Sequence, residues 1–344
     1  MGLRLETTAA ARLVHHGRSL WPGLLAAVTV AMAALFLAGQ HGGPTMLYAL
    51  LLGMALSFMA QESSTAAGVE AASKQVLRIG VALLGARIGM DQVLALGWQP
   101  VLAVVSLVVA TLLVGRLLGR WLGLSASQSV LAGGAVAICG ASAALAIASV
   151  LPKTPGRDRD TVFTVATVTA LGTLTMVLYP PLATLIGLDA TTAGIFLGGT
   201  IHDVAQVVGA GYTISPVTGD TATIAKLLRV AMLAPVILAL APLFRDKAAA
   251  PDDVDTTTRL PLPPFLIAFV VIASANSVGI LPDTVTAAAG TVSKWCLVCA
   301  IAAIGMKTQL ASLVRVGWRT AAAMLGATIF MAASMLTAIF FGAI

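Results

Sequence analysis

The chain has 344 residues, of which 58% are hydrophobic and only 10% charged, with a formal net charge of +6 and a mean hydropathy of +0.97. Apolar runs of about twenty residues recur along its whole length, which excludes a soluble globular domain and is typical of a polytopic helical membrane protein. The basic residues lie in short loops between these runs, so the positive charge indicates membrane topology rather than a nucleic-acid partner.

The first apolar run follows a basic tail, residues 1–19, that carries Arg4, Arg12 and Arg18. The run from 20 to 39 is long for the core of a signal peptide, so we expect an uncleaved first helix with a cytoplasmic tail. The other apolar runs are continuous rather than alternating, which predicts helices and not membrane strands. Their bounds are 45–60, 76–96, 101–122, 126–150, 161–187, 191–213, 221–243, 262–280, 291–312 and 320–342.

The loop that holds Lys153, Arg157 and Arg159 conflicts with a simple count of crossings. If every run crossed the membrane, this basic loop would face outward, against the positive-inside rule. The conflict disappears if segments 126–150 and 191–213 each enter and leave on one side, as re-entrant hairpins or as broken helices. Irregular backbone at membrane depth is tolerated only inside protein or along an aqueous cavity. Both segments are therefore candidate cavity walls.

A shift of 220 residues lays the stretch 73–98 on the stretch 293–318. The identities that it produces include Ser73 with Ser293, Lys74 with Lys294, Gly85 with Gly305, and Gly97-Trp98 with Gly317-Trp318. In the topology above, the two copies cross in opposite directions, as in many secondary transporters with broken helices at the midplane. We therefore predict an all-α polytopic membrane protein, with about nine to eleven transmembrane segments, inverted-topology repeats, two broken or re-entrant helices, and one transporter domain over 1–344.

Segment 191–213 places His202, Asp203 and Gln206 within five residues. An ionisable residue at membrane depth is costly, so a functional role is the first hypothesis. The alternatives are a buried ion pair for Asp203, and a hydrogen-bonded core or interfacial position for His202. A metal site is not expected, because no further ligands lie at suitable spacing.

Glycine pairs bracket these polar residues, Gly198-Gly199 on one side and Gly209 with Gly211 on the other. The stretch between them is about nine residues, or roughly 14 Å of helix, which is half a bilayer. A half-helix that begins at membrane depth has unpaired backbone N–H groups at its N-terminus, and these favour an anion.

The next helix contributes two cations, Lys226 and Arg229, which lie three residues apart and share a helix face. Lys226 could snorkel to the membrane surface, whereas Arg229 lies about eight residues into the predicted helix, too deep for this to be easy. The pair could form a cationic face for an anionic substrate, or Arg229 could form an ion pair with Asp203.

The other glycine-rich segment carries Cys139, Gly140 and Ser142 in the stretch "AICGASA". Small side chains with a thiol and a hydroxyl beside a glycine suit either a bend that lines a substrate path or close helix packing.

Four stretches, "LRIGVALLGARIG", "AICGASAALA", "GGTIHDVAQVVGAGY" and "AKLLRVAMLAPV", resemble successive signatures of the YeiH-like family, whose name refers to sulfate export. The resemblance runs from about Met46 to the C-terminus. It implies a multi-pass protein of the bacterial inner membrane that transports small sulfur oxyanions such as sulfate or sulfite. Asp203 stands where relatives carry glutamate, so its carboxylate reaches less far. The family's motif positions in this chain are Cys139, Gly140, Ser142, His202, Gln206, Lys226 and Arg229.

The leading hypothesis is a secondary transporter in which Lys226, Arg229 and the broken-helix N-termini bind an anion. His202 or Asp203 takes a coupling proton, and the protein works by alternating access. The expected partners are the anion, the lipid bilayer and, by analogy with inverted-repeat carriers, a second copy of the chain; no nucleic acid or cofactor is expected. The alternatives are an intramembrane enzyme that uses His202 and Asp203, against which no HExxH or Gly-x-Ser-x-Gly motif is present, and a passive anion channel.

Overall fold

A computed structural model describes residues 3–41, 44–88, 96–152, 154, 156–244, 263–307, 318–342 and 344. Over these residues the chain is helical and without strands, which confirms the prediction of an all-α polytopic membrane protein. The helices, in chain order, are α1 (Leu3–His41), α2 (Thr45–Ala55), α3 (Ala66–Ala71), α4 (Leu77–Leu84), α5 (Trp98–Trp121), α6 (Ala126–Ala137), α7 (Ala141–Val150), α8 (Arg157–Leu185), α9 (Ala190–Thr200), α10 (Val204–Ile214), α11 (Pro216–Ala231), α12 (Leu233–Leu243), α13 (Pro264–Ser277), α14 (Asp283–Lys307) and α15 (Trp318–Phe340).

Six helical stretches of the described chain are long and apolar enough to cross a membrane. They are Ser19–His41, Trp98–Trp121, Arg157–Leu185, Pro216–Leu243, Asp283–Lys307 and Trp318–Phe340. The stretch Pro216–Leu243 consists of α11 and α12, which follow each other across the single turn residue Met232. The remaining helices are shorter, and in the two glycine-rich segments this is because each segment is divided into two helices.

The chain divides into two compact units. The first consists of Met1–Gly89 and Ala268–Gln309, and contains α1 to α4, α14 and most of α13. The second consists of Met90–Ile267 and Leu310–Ile344, and contains α5 to α12 and α15. All the site residues predicted from the sequence belong to the second unit.

Glycines set the close helix crossings of the first unit. A Cβ added to Gly305 of α14 would overlap the Leu50 carbonyl oxygen of α2, and a Cβ added to Gly85 would lie 2.5 Å from the Phe269 carbonyl oxygen of α13. Gly85 and Gly305 are 220 residues apart, and Leu50 and Phe269 are 219 apart. The same kind of close contact is therefore made twice, with the glycines 220 residues apart and the carbonyl groups 219 apart, and the inverted-topology repeats stay a prediction.

The crossing of α14 with α2 gives a direct stability test. In Gly305→Ala the new Cβ would press on the α2 backbone, 3.0 Å from the Gly53 Cα atom, so we expect a loss of about 1–3 kcal/mol. Gly290 lies in the same helix with open space around it, and Gly290→Ala should gain up to about 1 kcal/mol through helix propensity. Thermal unfolding of both variants in detergent measures the difference in stability. Equal unfolding temperatures would contradict the close contact between α14 and α2.

In the second unit, both segments that the sequence marked as broken or re-entrant are interrupted. The interruptions are residues 138–140, between α6 and α7, and residues 201–203, between α9 and α10. From the sequence we expected the glycine pairs to mark the two ends of a half-helix, and this expectation was wrong. Helix α9 continues through Gly198 and Gly199, and α10 continues through Gly209. A Cβ added to Gly198 would lie 2.8 Å from the Ala225 Cβ of α11. These glycines allow close packing, and the break follows them.

Candidate functional site

The α6–α7 interruption is a tight turn over Ile138, Cys139 and Gly140. Gly140 has φ +68°, in the left-handed region that a side chain would strain. Its N–H donates to the Ala135 carbonyl oxygen at 2.9 Å. Gly140 is also the N-cap of α7, and no side chain caps this helix end. The first N–H groups of α7 are therefore left without a side-chain acceptor.

The α9–α10 interruption differs from the α6–α7 interruption because a carboxylate caps the N-terminus of its second helix, α10. Asp203 is the N-cap of α10, and its Oδ1 accepts a hydrogen bond from the Ala205 N–H at 2.8 Å. In return, the Gln206 Oε1 accepts a hydrogen bond from the Asp203 N–H at 3.3 Å, which completes a capping box. The N-terminus of α10 is thus neutralised by the chain itself, whereas that of α7 is not.

Lys226 joins the two interruptions. Its wholly buried Nζ atom donates to the carbonyl oxygens of Ile138 at 2.8 Å and Ile201 at 3.0 Å, and also to that of His202. A carbonyl oxygen only accepts, so three such bonds require all three hydrogens of the charged ammonium group. We call residues 138–140 and 201–203, held together in this way, the crossing.

Arg229 is also wholly buried and binds the last turns of the two helices that enter the crossing. Its Nη2 donates to the Val136 carbonyl oxygen at 2.8 Å and its Nε to that of Ala137 at 3.1 Å, both in α6. Its Nη1 donates at 2.8 Å to the carbonyl oxygen of Ile201, which follows α9, and more weakly at 3.4 Å to that of Gly198. These carbonyls are the negative ends of two helix dipoles, so Arg229 acts as a shared C-terminal cap.

The position of the two cations differs from the sequence-based expectation in two ways. The helix α11 begins at Pro216, so Arg229 lies in its last turn rather than about eight residues in. Lys226 does not snorkel to the surface, because it is wholly buried. Among the described residues, no carboxylate forms an ion pair with either cation, Asp203 included. Backbone carbonyls take the place of the expected acidic partner.

His202 lies inside the crossing and is wholly buried. Its Nε2 is 3.0 Å from the Thr328 Oγ1 of α15. Its Nδ1 is buried and has no hydrogen-bond partner in the described part of the chain. A buried polar atom without a partner is rare enough to require an explanation.

Gln206 fastens α10 to α8. Its Nε2 is 3.3 Å from both the Thr169 carbonyl oxygen and the Thr173 Oγ1. A Cβ added to Gly172 would lie 2.9 Å from the Gln206 Cδ atom, so this glycine provides the space for the amide. With its oxygen bonded to the Asp203 N–H, Gln206 positions the second interruption rather than presenting donors to a ligand.

Cys139 and Ser142 lie on either side of the α7 N-terminus. Cys139 is buried. Ser142 is exposed in the first turn of α7. Ser142 at this helix end and the half-buried Asp203 are therefore the accessible polar side chains at the crossing.

The charges of the crossing leave it positive. Lys226 and Arg229 carry two positive charges, and Asp203 carries one negative charge. The C-terminal ends of α6 and α9 and the N-terminal ends of α7 and α10 contribute roughly half a charge each, of opposite sign, and cancel. The crossing thus holds about one net positive charge. No group of three or more His, Cys, Asp or Glu side chains in the described ranges is arranged to hold a metal ion.

Sequence reasoning identified the ionisable residues of this site but missed Thr328 and Gly172. Both lie in helices distant in sequence from the two interruptions. A threonine in an apolar helix carries no signal by itself, because its hydroxyl commonly bonds to the carbonyl one turn back.

Comparison with known proteins identifies the family. The family described as "Conserved hypothetical protein 698" matches residues 22–324. The "UPF0324 membrane protein CT0845" of Chlorobaculum tepidum is 52% identical over 317 residues, which cover 92% of this chain and 88% of the relative. The "UPF0324 membrane protein TauZ" of Paracoccus pantotrophus is 49% identical over 313 residues, which cover 91% of this chain and 92% of the relative. No solved structure matches the chain. These findings fit the YeiH-like resemblance, and the chain belongs to this family of UPF0324 membrane proteins, as a multi-pass protein of the bacterial inner membrane.

Proposed function

We propose that the protein is a secondary transporter of small inorganic anions, with sulfite and sulfate as the first substrates to test. The observation that carries the proposal is the pair of wholly buried cations, Lys226 and Arg229, at the point where two interrupted helices meet. Buried charge at membrane depth is costly and is characteristic of transport pathways. Interrupted helices that meet at one point are a common way to build the substrate site of a carrier.

The geometry favours an indirect role for the two cations. Lys226 uses all three of its hydrogens on carbonyl oxygens, and Arg229 makes four such bonds. They supply positive field, and we infer that the α7 N-terminus and the Ser142 hydroxyl supply the hydrogen bonds to the anion. A crossing with about one net positive charge suits a monoanion, or a dianion that travels with a proton.

Uptake into proteoliposomes tests the proposal. Purified protein is reconstituted, and uptake of radiolabelled sulfite and sulfate is measured with and without an inward proton gradient, against liposomes without protein. We expect saturable uptake that the gradient accelerates. Uptake that rises linearly with anion concentration and ignores the gradient would instead indicate a channel. No uptake above empty liposomes, with folded protein, would remove sulfur oxyanions as substrates.

A further inference from the structure

His202 has a hydrogen-bond arrangement that fixes the position of its proton. The Thr328 Oγ1 lies 2.9 Å from the Met324 carbonyl oxygen and 3.0 Å from the His202 Nε2. A hydroxyl has a single hydrogen, and the Met324 carbonyl can only accept. When Thr328 donates to Met324, the His202 Nε2 carries the ring hydrogen and donates it to Thr328.

The opposite arrangement is less favourable. If Thr328 donated to the Nε2, its oxygen would face the Met324 carbonyl oxygen with no hydrogen between them, and a buried Nδ1–H would have no acceptor. The first arrangement leaves only one unmet group, the lone pair of the Nδ1. Burying a donor and an acceptor without partners costs more than burying one acceptor.

We propose that the Nδ1 of His202 is the proton-binding atom of the transport cycle, and that Thr328 is the positioning residue that leaves the Nδ1 lone pair free by holding the ring hydrogen on Nε2. This inference rests on the proposed function and names the coupling site within it. In the step, a hydronium ion at the open side gives its proton to the Nδ1 lone pair and leaves water. The reverse transfer occurs at the other side of the membrane.

Asp203 is the competing candidate, and its contacts argue against it. Its carboxylate caps α10 through the Ala205 N–H, at a helix end that favours negative charge. Protonation would weaken this cap. The Nδ1 of His202 has no such bond to lose.

The charges around His202 couple its proton to the anion. From α11, the positive charges of Arg229 and Lys226 act on the ring, and α15 presents the neutral Thr328. Asp203 from the second interruption acts on Lys226 with its negative charge, and the Cys139 thiol from the first interruption is the other titratable group beside Lys226. A third positive charge at this place is unfavourable unless a negative charge offsets it. Proton and anion therefore promote each other's binding, and coupling energies of this kind change affinity by about 5- to 150-fold.

Nitrogen-15 NMR on histidine-labelled protein in lipid tests the tautomer without any transport assay. The chain has four histidines, and the His202 signals are assigned by their loss in His202→Gln. In the wild type we expect the proton on Nε2. Thr328→Val removes the hydroxyl at nearly constant volume and should abolish this preference, and Thr328→Ser should restore it. Thr337 makes the same kind of bond one turn back, 2.8 Å to Ala333, so Thr337→Val should leave the signal unchanged.

The coupling between the His202 proton and the anion can be measured separately from the tautomer. At a fixed pH at which little His202 is protonated, saturating sulfite should raise the protonated fraction about tenfold. In proteoliposomes, Thr328→Val should lose the acceleration by a proton gradient, and Thr328→Ser should recover it. A wild-type Nδ1–H tautomer, or a protonated fraction unaffected by every anion that the protein transports, would overturn the inference. Absence of sulfite and sulfate flux would count against the proposed substrates, while the tautomer measurement would still decide the role of Thr328.

Discussion

Replacing Arg229 with methionine is expected to destabilise the second unit strongly. Methionine fills much of the volume but offers no donor, so the carbonyl groups of Val136, Ala137 and Gly198 would lose the guanidinium. These groups end their helices inside the protein, where water cannot replace the lost donor. Each buried carbonyl group left without its donor costs about 1–3 kcal/mol. Thermal unfolding and size-exclusion chromatography in detergent would measure the loss.

The same substitution at a surface arginine is the matched control. Arg319 is exposed, with its guanidinium 5.6 Å from the centre of the Trp318 ring, a contact worth about 0.5–1 kcal/mol. Arg319→Met should therefore unfold close to the wild-type temperature. Arg229→Lys, with its charge but fewer donors, should fall between the two. If Arg229→Met unfolded like Arg319→Met, the buried carbonyl contacts would not be the source of stability at the crossing.

Because Arg229 stabilises the fold, a loss of transport in a variant that lacks Arg229 does not identify the residue as part of the anion site. A variant that fails to fold loses flux whatever the substrate is. A decisive transport variant must therefore change the charge of the crossing while leaving its carbonyl contacts intact.

The sequence was enough to predict an interrupted helix in each glycine-rich segment, but not the position of the breaks. The basic loop around Lys153 faces inward only if segment 126–150 does not simply cross the membrane. This rule decides on which side a whole segment ends, but not at which residue its helix breaks. The break after Thr200 depends on a different kind of information. Gly198 and Gly199 can either end a helix or pack it closely, and only the neighbouring helices decide which.

The cations of the site could be predicted from the sequence, but their hydrogen-bond partners could not. Lys226 and Arg229 stand out because charge is rare in an apolar helix. Their partners are backbone carbonyls, which every residue has and no sequence pattern marks. The acidic partner that the sequence offered, Asp203, caps its own helix instead. Thr328 was missed for a related reason, since its contact with His202 joins helices 126 residues apart.

Ser142→Asp is expected to abolish most anion uptake while slightly stabilising the protein. Ser142 is exposed in the first turn of α7, where no side chain caps the helix. An aspartate there complements the helix dipole and should add about 0.3–1 kcal/mol of stability. The same carboxylate would occupy the proposed anion site. Two unit charges about 4 Å apart repel by about 4 kcal/mol at an effective dielectric constant of 20, and a tenfold loss of affinity needs only about 1.4 kcal/mol.

Ser149→Asp separates this effect from a general effect of added negative charge. Ser149 is exposed at the other end of α7, about 10 Å from Ser142 along the helix axis. An acidic residue near a helix C-terminus is unfavourable, so this variant should unfold at a slightly lower temperature yet retain uptake. Stability and uptake should thus move in opposite directions in the two variants, which a folding defect cannot produce. Equal uptake by Ser142→Asp and Ser149→Asp would place the anion elsewhere than at the α7 N-terminus.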